Sequence, residues 1–271
     1  MLDRLLAAGY RTAFVSNSDN LGAVMDPAIL GYFVAEDLPF MMEVADRAEA
    51  DKKGGHLACT AEGQLLLRES AQCSSADTAD FQDITRHRFF NTNNLWLNLP
   101  VLRELLDRRD GILGLPMIRN TKTVDPRDPA SPAVYQLETA MGSAIGIFAG
   151  AGALRIPKSR FAPIKKTNDL LDVRSDNYIL TSDYQVRANP ARELPRAVID
   201  LDARYYGFVD QLEKRFPHGA PSLLACERLQ IKGDVHFGRD VVLSGVVLIA
   251  NTTDEPLFVP DGTRISGIWP V

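Results

Sequence analysis

An apolar repeat with a period of six residues runs through the last part of the chain. Its positions are Ile231, Val235, Phe237, Val241, Leu243, Val247 and Ile249, and the register resumes at Val259 and Ile265 after the polar residues 251–255. A six-residue period is typical of a parallel β-helix, in which each inward side chain stacks on its equivalent one turn away. We therefore predict a second, smaller domain of this type over residues 221–271, with an ordinary β-meander as the alternative. Because the ends of such a stack are unpaired, the tail is also expected to mediate self-association.

The first 220 residues predict an α/β fold with a partly parallel sheet, because strand and helix patterns alternate along them. The predicted strands cover residues 12–15, 40–44, 65–69 (after a turn at Glu62-Gly63) and 134–137. The predicted helices start at the cap Asp26 with Pro27, cover residues 101–109, and include a stretch rich in small residues over 138–151. Residues 125–132 predict a surface loop, since Pro and Asp cluster there.

Composition and charge exclude several classes of protein. With 45% hydrophobic and 24% charged residues, the 271-residue chain is globular in composition. Its net charge of −5 provides no basic field, so neither a nucleic acid nor a membrane surface is an expected partner. The longest uncharged stretch, residues 141–154, is too short to cross a bilayer. Three widely spaced cysteines argue against disulfides and zinc sites, and predict a cytoplasmic location.

Two polar residues, Asn17 and Asp19, follow the first predicted strand closely. In open α/β sheets, ligands bind at the edge where strands end. A carboxylate at that edge can hold Mg²⁺ against phosphate oxygens, and the amide of Asn17 could bind a hydroxyl. The alternative is a loop in which both side chains only satisfy backbone groups.

Further candidates combine polar groups with unusual surroundings. Gly55 ends a Lys/Gly segment, residues 52–55, that could bring cations and bare N–H groups to an anion. Asn91 and Asn93 follow two phenylalanines, and amides at an apolar boundary need hydrogen-bond partners such as sugar hydroxyls. Glu69 could also accept from a sugar hydroxyl. Each candidate has a structural alternative: residues 52–55 could be only the tip of a hairpin, Asn91 and Asn93 could lie in a buried turn, and Glu69 could be an ordinary carboxylate at a sheet edge.

Lys165 lies in an extended segment that Pro163 favours, before a short helix that Asn168 and Asp169 can cap. A lysine held in this way suits charge stabilisation in phosphoryl chemistry. The alternative is a solvated surface charge, which is the usual state of a lysine.

Six segments in the same order resemble the eukaryotic-type UTP–glucose-1-phosphate uridylyltransferase family. They are FVSNSDNLG (14–22), FMMEV with ADKKGG (40–44 and 50–55), FNTNNLW (90–96), QLETAMGSA (136–144), KSRFAPIKKTNDLL (158–171) and GDVHFG (233–238). The resemblance implies part of a glycosyltransferase-A-like nucleotidyltransferase domain over residues 1–220 and a left-handed parallel β-helix over 221–271. It also implies an enzyme that joins glucose 1-phosphate to UTP with Mg²⁺, giving UDP-glucose and pyrophosphate.

The resemblance assigns a role to each candidate residue. By the family's pattern, Asn17 and Asp19 contact substrate and Asp19 also carries the metal. Gly55 approaches the sugar, and Glu69, Asn91 and Asn93 bind its hydroxyls. Lys165 aligns with the catalytic lysine, and no covalent enzyme intermediate is expected.

One departure from the family is large. The family's Gly-rich loop and early lysine, which grip the nucleotide triphosphate, have no counterpart in residues 1–20, where Gly9 is the single glycine and no lysine occurs. We therefore expect a fragment, a misassigned gene start, or a half that needs another chain, and no activity from this chain alone. The other hypotheses are a non-catalytic module that binds sugar phosphate or assembles through its tail, and a pyrophosphorylase for another UDP-sugar.

Overall fold

The computed structural model describes residues 1–52, 54–70 and 73–269, and these form two compact units. The first unit comprises Met1–Asn17 with Met25–Phe161, and the second comprises Ser18–Val24 with Ala162–Val271. Lys53, which belongs to one matched segment, lies outside the described residues. In the described ranges, no helix has the length and apolar character needed to cross a membrane.

The first unit contains four α-helices and eight strands among the described residues. The helices are α1 (Leu2–Ala7), α2 (Pro27–Ala35), α3 (Thr78–Phe81) and α4 (Leu99–Arg108). The strands are β1 (Thr12–Val15), β2 (Phe40–Asp46), β3 (His56–Cys59), β4 (Leu65–Arg68), β5 (Phe89–Asn98), β6 (Met117–Thr123), β7 (Ala133–Thr139) and β8 (Gly152–Arg155). Asp26 caps α2 as predicted, because its Oδ1 accepts from the backbone N–H of Ala28 at 2.8 Å.

A four-stranded sheet with the order β1-β5-β2-β8 forms the centre of the first unit. Strand β2 is buried on both faces: Met42 and Phe40 pack into one hydrophobic cluster, and Met41 packs with Trp96 into another. The predicted partly parallel sheet is confirmed at β2 and β8, which pair in parallel. The strand predicted over residues 12–15, β1, forms as predicted, although an apolar run of this kind is typical of a buried strand and β1 is half-buried at one edge of the described sheet, where it pairs antiparallel with β5.

The predicted helix over residues 138–151 is wrong. Strand β7 extends to Thr139, and a short 3₁₀ helix, Met141–Gly146, replaces the expected long helix. Glycine disfavours helix interiors, and four glycines fall within residues 142–152. The predicted loop over 125–132 is confirmed, since it joins the antiparallel strands β6 and β7.

The second unit contains three helices and eight strands among the described residues. The helices are α5 (Thr167–Arg174), α6 (Ala203–Tyr206) and α7 (Val209–Arg215). The strands are β9 (Tyr178–Leu180), β10 (Val186–Ala188), β11 (Val198–Leu201), β12 (Ser222–Lys232), β13 (Val235–Phe237), β14 (Val242–Ala250), β15 (Leu257–Val259) and β16 (Arg264–Trp269).

The six-residue repeat forms a stack of parallel strands. A four-stranded parallel sheet has the order β11-β12-β14-β16, and β13 pairs in parallel with β15. Ile231 lies opposite Ile249, eighteen residues or three repeats further along the chain. All nine repeat positions are at most 3% exposed. Parallel pairing rules out the β-meander alternative, because a meander pairs its strands antiparallel.

The core of the second unit also includes residues that precede the stack. Leu171, Tyr206, Leu212 and Phe216 belong to the same hydrophobic cluster as the repeat positions. Packing therefore groups residues 162–220 with the parallel stack, and the compact units divide after Phe161. The domain boundary expected at residue 220 stays a prediction.

Candidate active site

An irregular segment of β5 carries two of the predicted sugar-binding residues. Glu43 of β2 lies opposite Asn94, and the next residue, Val44, lies opposite Asn91. Thr92 and Asn93 are therefore extra residues on β5, and we call Thr92 and Asn93 the bulge. Asn93 has a φ of 58°, a left-handed conformation that asparagine tolerates better than most residues. Bulges of this kind re-aim side chains and are common beside active sites.

The three predicted asparagines form one chain of hydrogen bonds. Asn91 Nδ2 donates to Asn93 Oδ1 at 2.8 Å, and the backbone N–H of Asn93 donates to Asn91 Oδ1 at 2.8 Å. Asn93 Nδ2 in turn donates to Asn17 Oδ1 at 3.3 Å. The structure thus brings together amides that are 76 residues apart in the sequence. Their role in binding a substrate stays a prediction.

The other two predicted sugar-binding residues also touch. A Cβ on Gly55 would lie 2.5 Å from Glu69 Oε2 and 3.0 Å from the carbonyl oxygen of Arg68, so any larger residue would have to displace this carboxylate. Burial raises the pKa of Glu69 above its ordinary value, because water would solvate the charged form better. A hydroxyl that donates to Glu69 would favour the ionised form again.

Gly142 and Leu67 link these two groups within the first unit. A Cβ on Gly142 would lie 2.4 Å from Asn91 Nδ2 and 2.9 Å from Leu67 Cδ2. Leu67 lies in β4, which ends one residue before Glu69. The segment QLETAMGSA therefore provides the space that the Asn91 amide occupies.

Asp19 and Lys165 form an ion pair within the second unit, although 146 residues separate them. The bond joins Lys165 Nζ to Asp19 Oδ2. Two hydrogen bonds hold the segments together: the Ile164 N–H donates to the carbonyl of Asp19 at 2.9 Å, and the Ala162 N–H donates to the side-chain Oδ1 of Asn20 at 2.8 Å. The lysine reaches Asp19 because residues 162–164, which precede it, bond to the turn that contains Asp19.

The capping predicted after Lys165 is half right. Asp169 Oδ2 accepts from the backbone N–H groups of Lys165 and Lys166, each at 3.0 Å. Asn168 does not cap the helix, since its Nδ2 donates to the carbonyl of Ile199 at 3.0 Å. Asp169 thus fixes the backbone of the predicted catalytic lysine.

The carboxylate of Asp19 fits the predicted cation. Its Oδ1 atom is buried and accepts from no group in the described part of the chain, while Oδ2 bonds to Lys165. A cation can satisfy a buried carboxylate oxygen that has no donor. Within residues 1–52, 54–70 and 73–269, no group of three or more His, Cys, Asp or Glu side chains could hold a metal. A cation at Asp19 would therefore need most of its ligands from phosphate and water.

Arg47 holds the start of the segment predicted to bind an anion, at Lys52. This buried guanidinium donates to the carbonyls of Lys52 at 2.8 Å, His87 at 3.1 Å and Phe81 at 3.2 Å. Lys52 pairs with Glu49 at 2.7 Å. Arg47 therefore fixes the loop that leads to Gly55, a role that the sequence analysis missed.

A family model described as UTP–glucose-1-phosphate uridylyltransferase matches residues 1–244. The chain belongs to this family. The uridylyltransferase of Hordeum vulgare is 41% identical over 262 residues, which are 96% of this chain and 53% of the relative. The enzyme of Saccharomyces cerevisiae is 37% identical over 267 residues, or 98% of this chain and 52% of the relative. The chain thus spans about half the length of the curated relatives it matches.

Solved structures of UDP-glucose pyrophosphorylases share the fold of this uridylyltransferase-family chain. A point mutant of the Leishmania major enzyme is 48% identical, with a TM-score of 0.84, over 99% of this chain and 58% of that one. Another mutant of the same enzyme, with a TM-score of 0.81, was crystallised in complex with UDP-glucose. The mixed α/β architecture is therefore that of the family.

Two further charged residues of the family segments escaped the sequence analysis. Glu43 is fully buried in β2, and Arg160 pairs with its carboxylate at 2.7 Å. The signal for Glu43 was visible, because it is an acid inside the apolar run FMMEV. A buried acid must be paired, so such a residue predicts a partner even when the partner cannot be named.

On the prediction that Gly55 and Glu69 belong to a sugar site, Gly55→Ala should weaken the binding of glucose 1-phosphate about tenfold, because the new methyl group displaces the carboxylate of Glu69. Gly54→Ala is the matched control, since its Cβ would meet only the carbonyl oxygen of Asp51 at 3.4 Å. Isothermal titration calorimetry of the two variants checks the difference. Equal affinities for the two variants would remove Gly55 from the sugar site.

Proposed function

We propose that this chain carries the sugar-binding residues and the catalytic lysine of a uridylyltransferase that makes UDP-glucose and pyrophosphate from UTP and glucose 1-phosphate. The ion pair of Asp19 with Lys165 is the observation that carries the proposal. It places a carboxylate and an ammonium group side by side, and both lie in segments that match the family. Family membership and the names of the relatives support the reaction and its two substrates.

The sugar is bound by the asparagine chain and by Glu69. Asn17 Nδ2 donates to no group among the described residues, so its two N–H bonds remain for a ligand. Asn91 and Asn93 supply further amide groups, and Glu69 beside Gly55 accepts from a hydroxyl. This set of donors and acceptors matches a sugar, whose hydroxyl groups both donate and accept.

In the reaction, a phosphate oxygen of glucose 1-phosphate attacks the α-phosphorus of UTP, and the bond to the departing pyrophosphate breaks. Lys165 would place its ammonium group against the charge that grows on the phosphate oxygens. Asp19 would hold Mg²⁺ through Oδ1, and the ion would neutralise phosphate charge. No side chain forms a covalent bond to the substrate, so catalysis consists of positioning and electrostatic stabilisation.

Two measurements on purified protein test the proposal. We expect the 271-residue chain to bind glucose 1-phosphate in calorimetry, and to release no pyrophosphate from UTP by itself. The second expectation follows because residues 1–30 contain no Gly-rich loop to grip a triphosphate. Pyrophosphate release is expected from a protein that has this chain together with the family's nucleotide-binding half. No binding of glucose 1-phosphate would favour a non-catalytic assembly module, and tighter binding of another sugar 1-phosphate would favour a different UDP-sugar.

The affinity for glucose 1-phosphate is expected to depend on pH through Glu69. Since burial raises the pKa of Glu69, the ionised acceptor forms only as the pH rises through that higher value. The ratio of wild-type affinity to Glu69→Gln affinity should therefore increase with pH, and the titration of the ligand phosphate cancels in this ratio. Calorimetry of both proteins from pH 4 to pH 8 measures it, and a ratio independent of pH would contradict the role of Glu69.

The raised pKa of Glu69 also makes the stability of the protein depend on pH, in the direction opposite to the affinity. A carboxyl whose pKa is raised in the folded protein stabilises the fold at low pH, and this stabilisation is lost as the pH rises through the folded pKa. Glu69→Gln should therefore unfold at a higher temperature than the wild type at pH 8, but not at pH 4.

We infer that the parallel stack winds as a left-handed β-helix and mediates self-association, as the family resemblance implies. Its edge strand β16 exposes Ile268, and an open strand edge with an apolar residue favours pairing with another chain. Ile268→Lys should therefore yield a smaller species in sedimentation velocity, whereas Val246→Lys on the inner strand β14 should not. An unchanged distribution for Ile268→Lys would exclude this edge. A cytoplasmic location stays a prediction from the three cysteines.

A further inference from the structure

A single carboxylate, Glu43, lies at the centre of β2 with no exposed surface. Its neighbours in the strand, Met42 and Val44, are buried hydrophobic residues. Ionised carboxylates in such surroundings are stable only when donors surround both oxygens. Burying a carboxylate is unfavourable, so the hydrogen-bond partners of Glu43 indicate which part of the structure it stabilises.

Four donors saturate the carboxylate of Glu43. Oε1 accepts from Trp96 Nε1 at 3.0 Å and from Arg160 Nη2 at 2.7 Å. Oε2 accepts from Asn94 Nδ2 at 3.0 Å and from Arg160 Nε at 2.9 Å. Arg160 thus binds in the two-pronged geometry that fixes direction as well as distance. Asn94 Nδ2 also approaches the carbonyl oxygen of Arg160 at 3.4 Å.

The same residue anchors the bulge of β5 on both sides. The Thr92 hydroxyl donates to the carbonyl oxygen of Glu43 at 2.7 Å, and the backbone N–H of Asn94 donates to the Thr92 hydroxyl at 3.3 Å. Asn94 is the residue at which β5 returns to regular pairing, directly opposite Glu43. Asn93 lies between these two anchors in its left-handed conformation.

We propose that Glu43 is a positioning residue for the sugar site: its saturated carboxylate fixes the bulge so that the amides of Asn91 and Asn93 keep one orientation. This rests on the proposed function of those two asparagines as sugar ligands. Glu43 is fully buried and does not touch the substrate itself. The effect of its carboxylate on binding reaches the sugar through Asn94, whereas Thr92 bonds to the backbone carbonyl of Glu43.

Glu43→Gln is the first test, because it preserves shape and removes the charge. In either orientation the new NH₂ group would face two donors, Asn94 Nδ2 with Arg160 Nε or Trp96 Nε1 with Arg160 Nη2, so the set of four hydrogen bonds that holds Asn94 is disrupted. We expect the affinity of the 271-residue chain for glucose 1-phosphate to fall about tenfold or more, since small displacements of binding groups have large effects. If this variant does not fold, Glu43→Asp keeps the charge, but its shorter side chain cannot reach all four donors, and the same loss is expected.

A control variant separates positioning from general damage. Asp46→Asn breaks the exposed ion pair between Arg155 and Asp46, which lies on the same strand as Glu43. This variant should keep the wild-type affinity for glucose 1-phosphate within about twofold, because an exposed pair outside the bulge contributes little to its geometry. A tenfold loss of affinity in Asp46→Asn would overturn the proposal.

The double variant Glu43→Leu with Arg160→Leu tests whether Glu43 is merely structural. Replacing a buried ion pair by apolar residues often preserves stability, so the melting temperature should recover relative to Glu43→Gln. We expect affinity for glucose 1-phosphate to stay low, because Asn94 and the bulge have lost their acceptor. Recovery of both quantities would overturn the proposal.

The side-chain amide signals of Asn91 and Asn93 in the ligand-free chain provide a readout independent of the proposed function. In nuclear magnetic resonance spectra, Glu43→Gln should shift or broaden these signals, whereas Asp46→Asn should not. If the wild-type chain binds no glucose 1-phosphate, the proposed function fails while this readout still tests the positioning. Unchanged amide signals in Glu43→Gln would refute the positioning role.

Discussion

Lys165→Ala is expected to lower kcat about a hundredfold to a thousandfold in a protein that has this chain together with the family's nucleotide-binding half, the range found when one group that stabilises transition-state charge is removed. In the proposed mechanism, the ammonium group of Lys165 stabilises the transition state most, because charge grows there on the transferring phosphoryl oxygens. The dissociation constant for glucose 1-phosphate should change much less, because the sugar ligands that we propose are the asparagine amides and Glu69. Pre-steady-state measurement of pyrophosphate release, with calorimetry for binding, separates the two effects.

Lys166→Ala is the matched control for this prediction. Both lysines are exposed, both backbone N–H groups bond to Asp169, and only Lys165 pairs with Asp19. Lys166→Ala should therefore keep kcat within a few fold of the wild type. Lys165→Arg should recover part of the activity, since the charge returns with a different shape. A Lys165→Ala variant with near-normal kcat would exclude this lysine from the mechanism.

The pairing of Asp19 with Lys165 shows how far local sequence can lead. Each residue was a candidate by itself, because one follows a strand and the other lies in a constrained segment. Their contact across 146 residues depends on a backbone hydrogen bond from Ile164 to Asp19, which no local pattern encodes. The order of the segments and their resemblance to a family identified both residues as candidates. Only the fold showed that the two side chains are in contact.

The asparagine segment and residues 138–151 show where local patterns fail. The unusual amides of Asn91 and Asn93 were visible in the sequence, but the bulge that aims them depends on Glu43 of another strand. The helix expected over residues 138–151 was wrong because alanine and glycine content does not reveal that Gly142 must leave room for Asn91. In both cases tertiary contacts decide the local structure.

The parallel stack was the part that the sequence predicted best, since a period of six places every repeated side chain inside. Val241 is 1% exposed within this stack, and its neighbours in the core are hydrophobic. Val241→Asp should destabilise the second unit by more than about 4 kcal/mol, because it buries a charge without a partner. Val246→Asp is the control: Val246 lies on β14 but is 60% exposed, so its replacement should leave stability almost unchanged.

The two tryptophans of the chain allow the destabilisation by Val241→Asp to be assigned to one unit. Trp96 lies in the core of the first unit, and Trp269 lies in β16 of the second. In a Trp96→Phe background, fluorescence during urea denaturation reports on Trp269 alone. Val241→Asp should move this transition to much lower urea, or abolish it, because a parallel stack cannot expel one inward side chain without separating its coils. A transition that coincides with that of Val246→Asp would show that position 241 tolerates charge, and the inward assignment of the repeat would then be wrong.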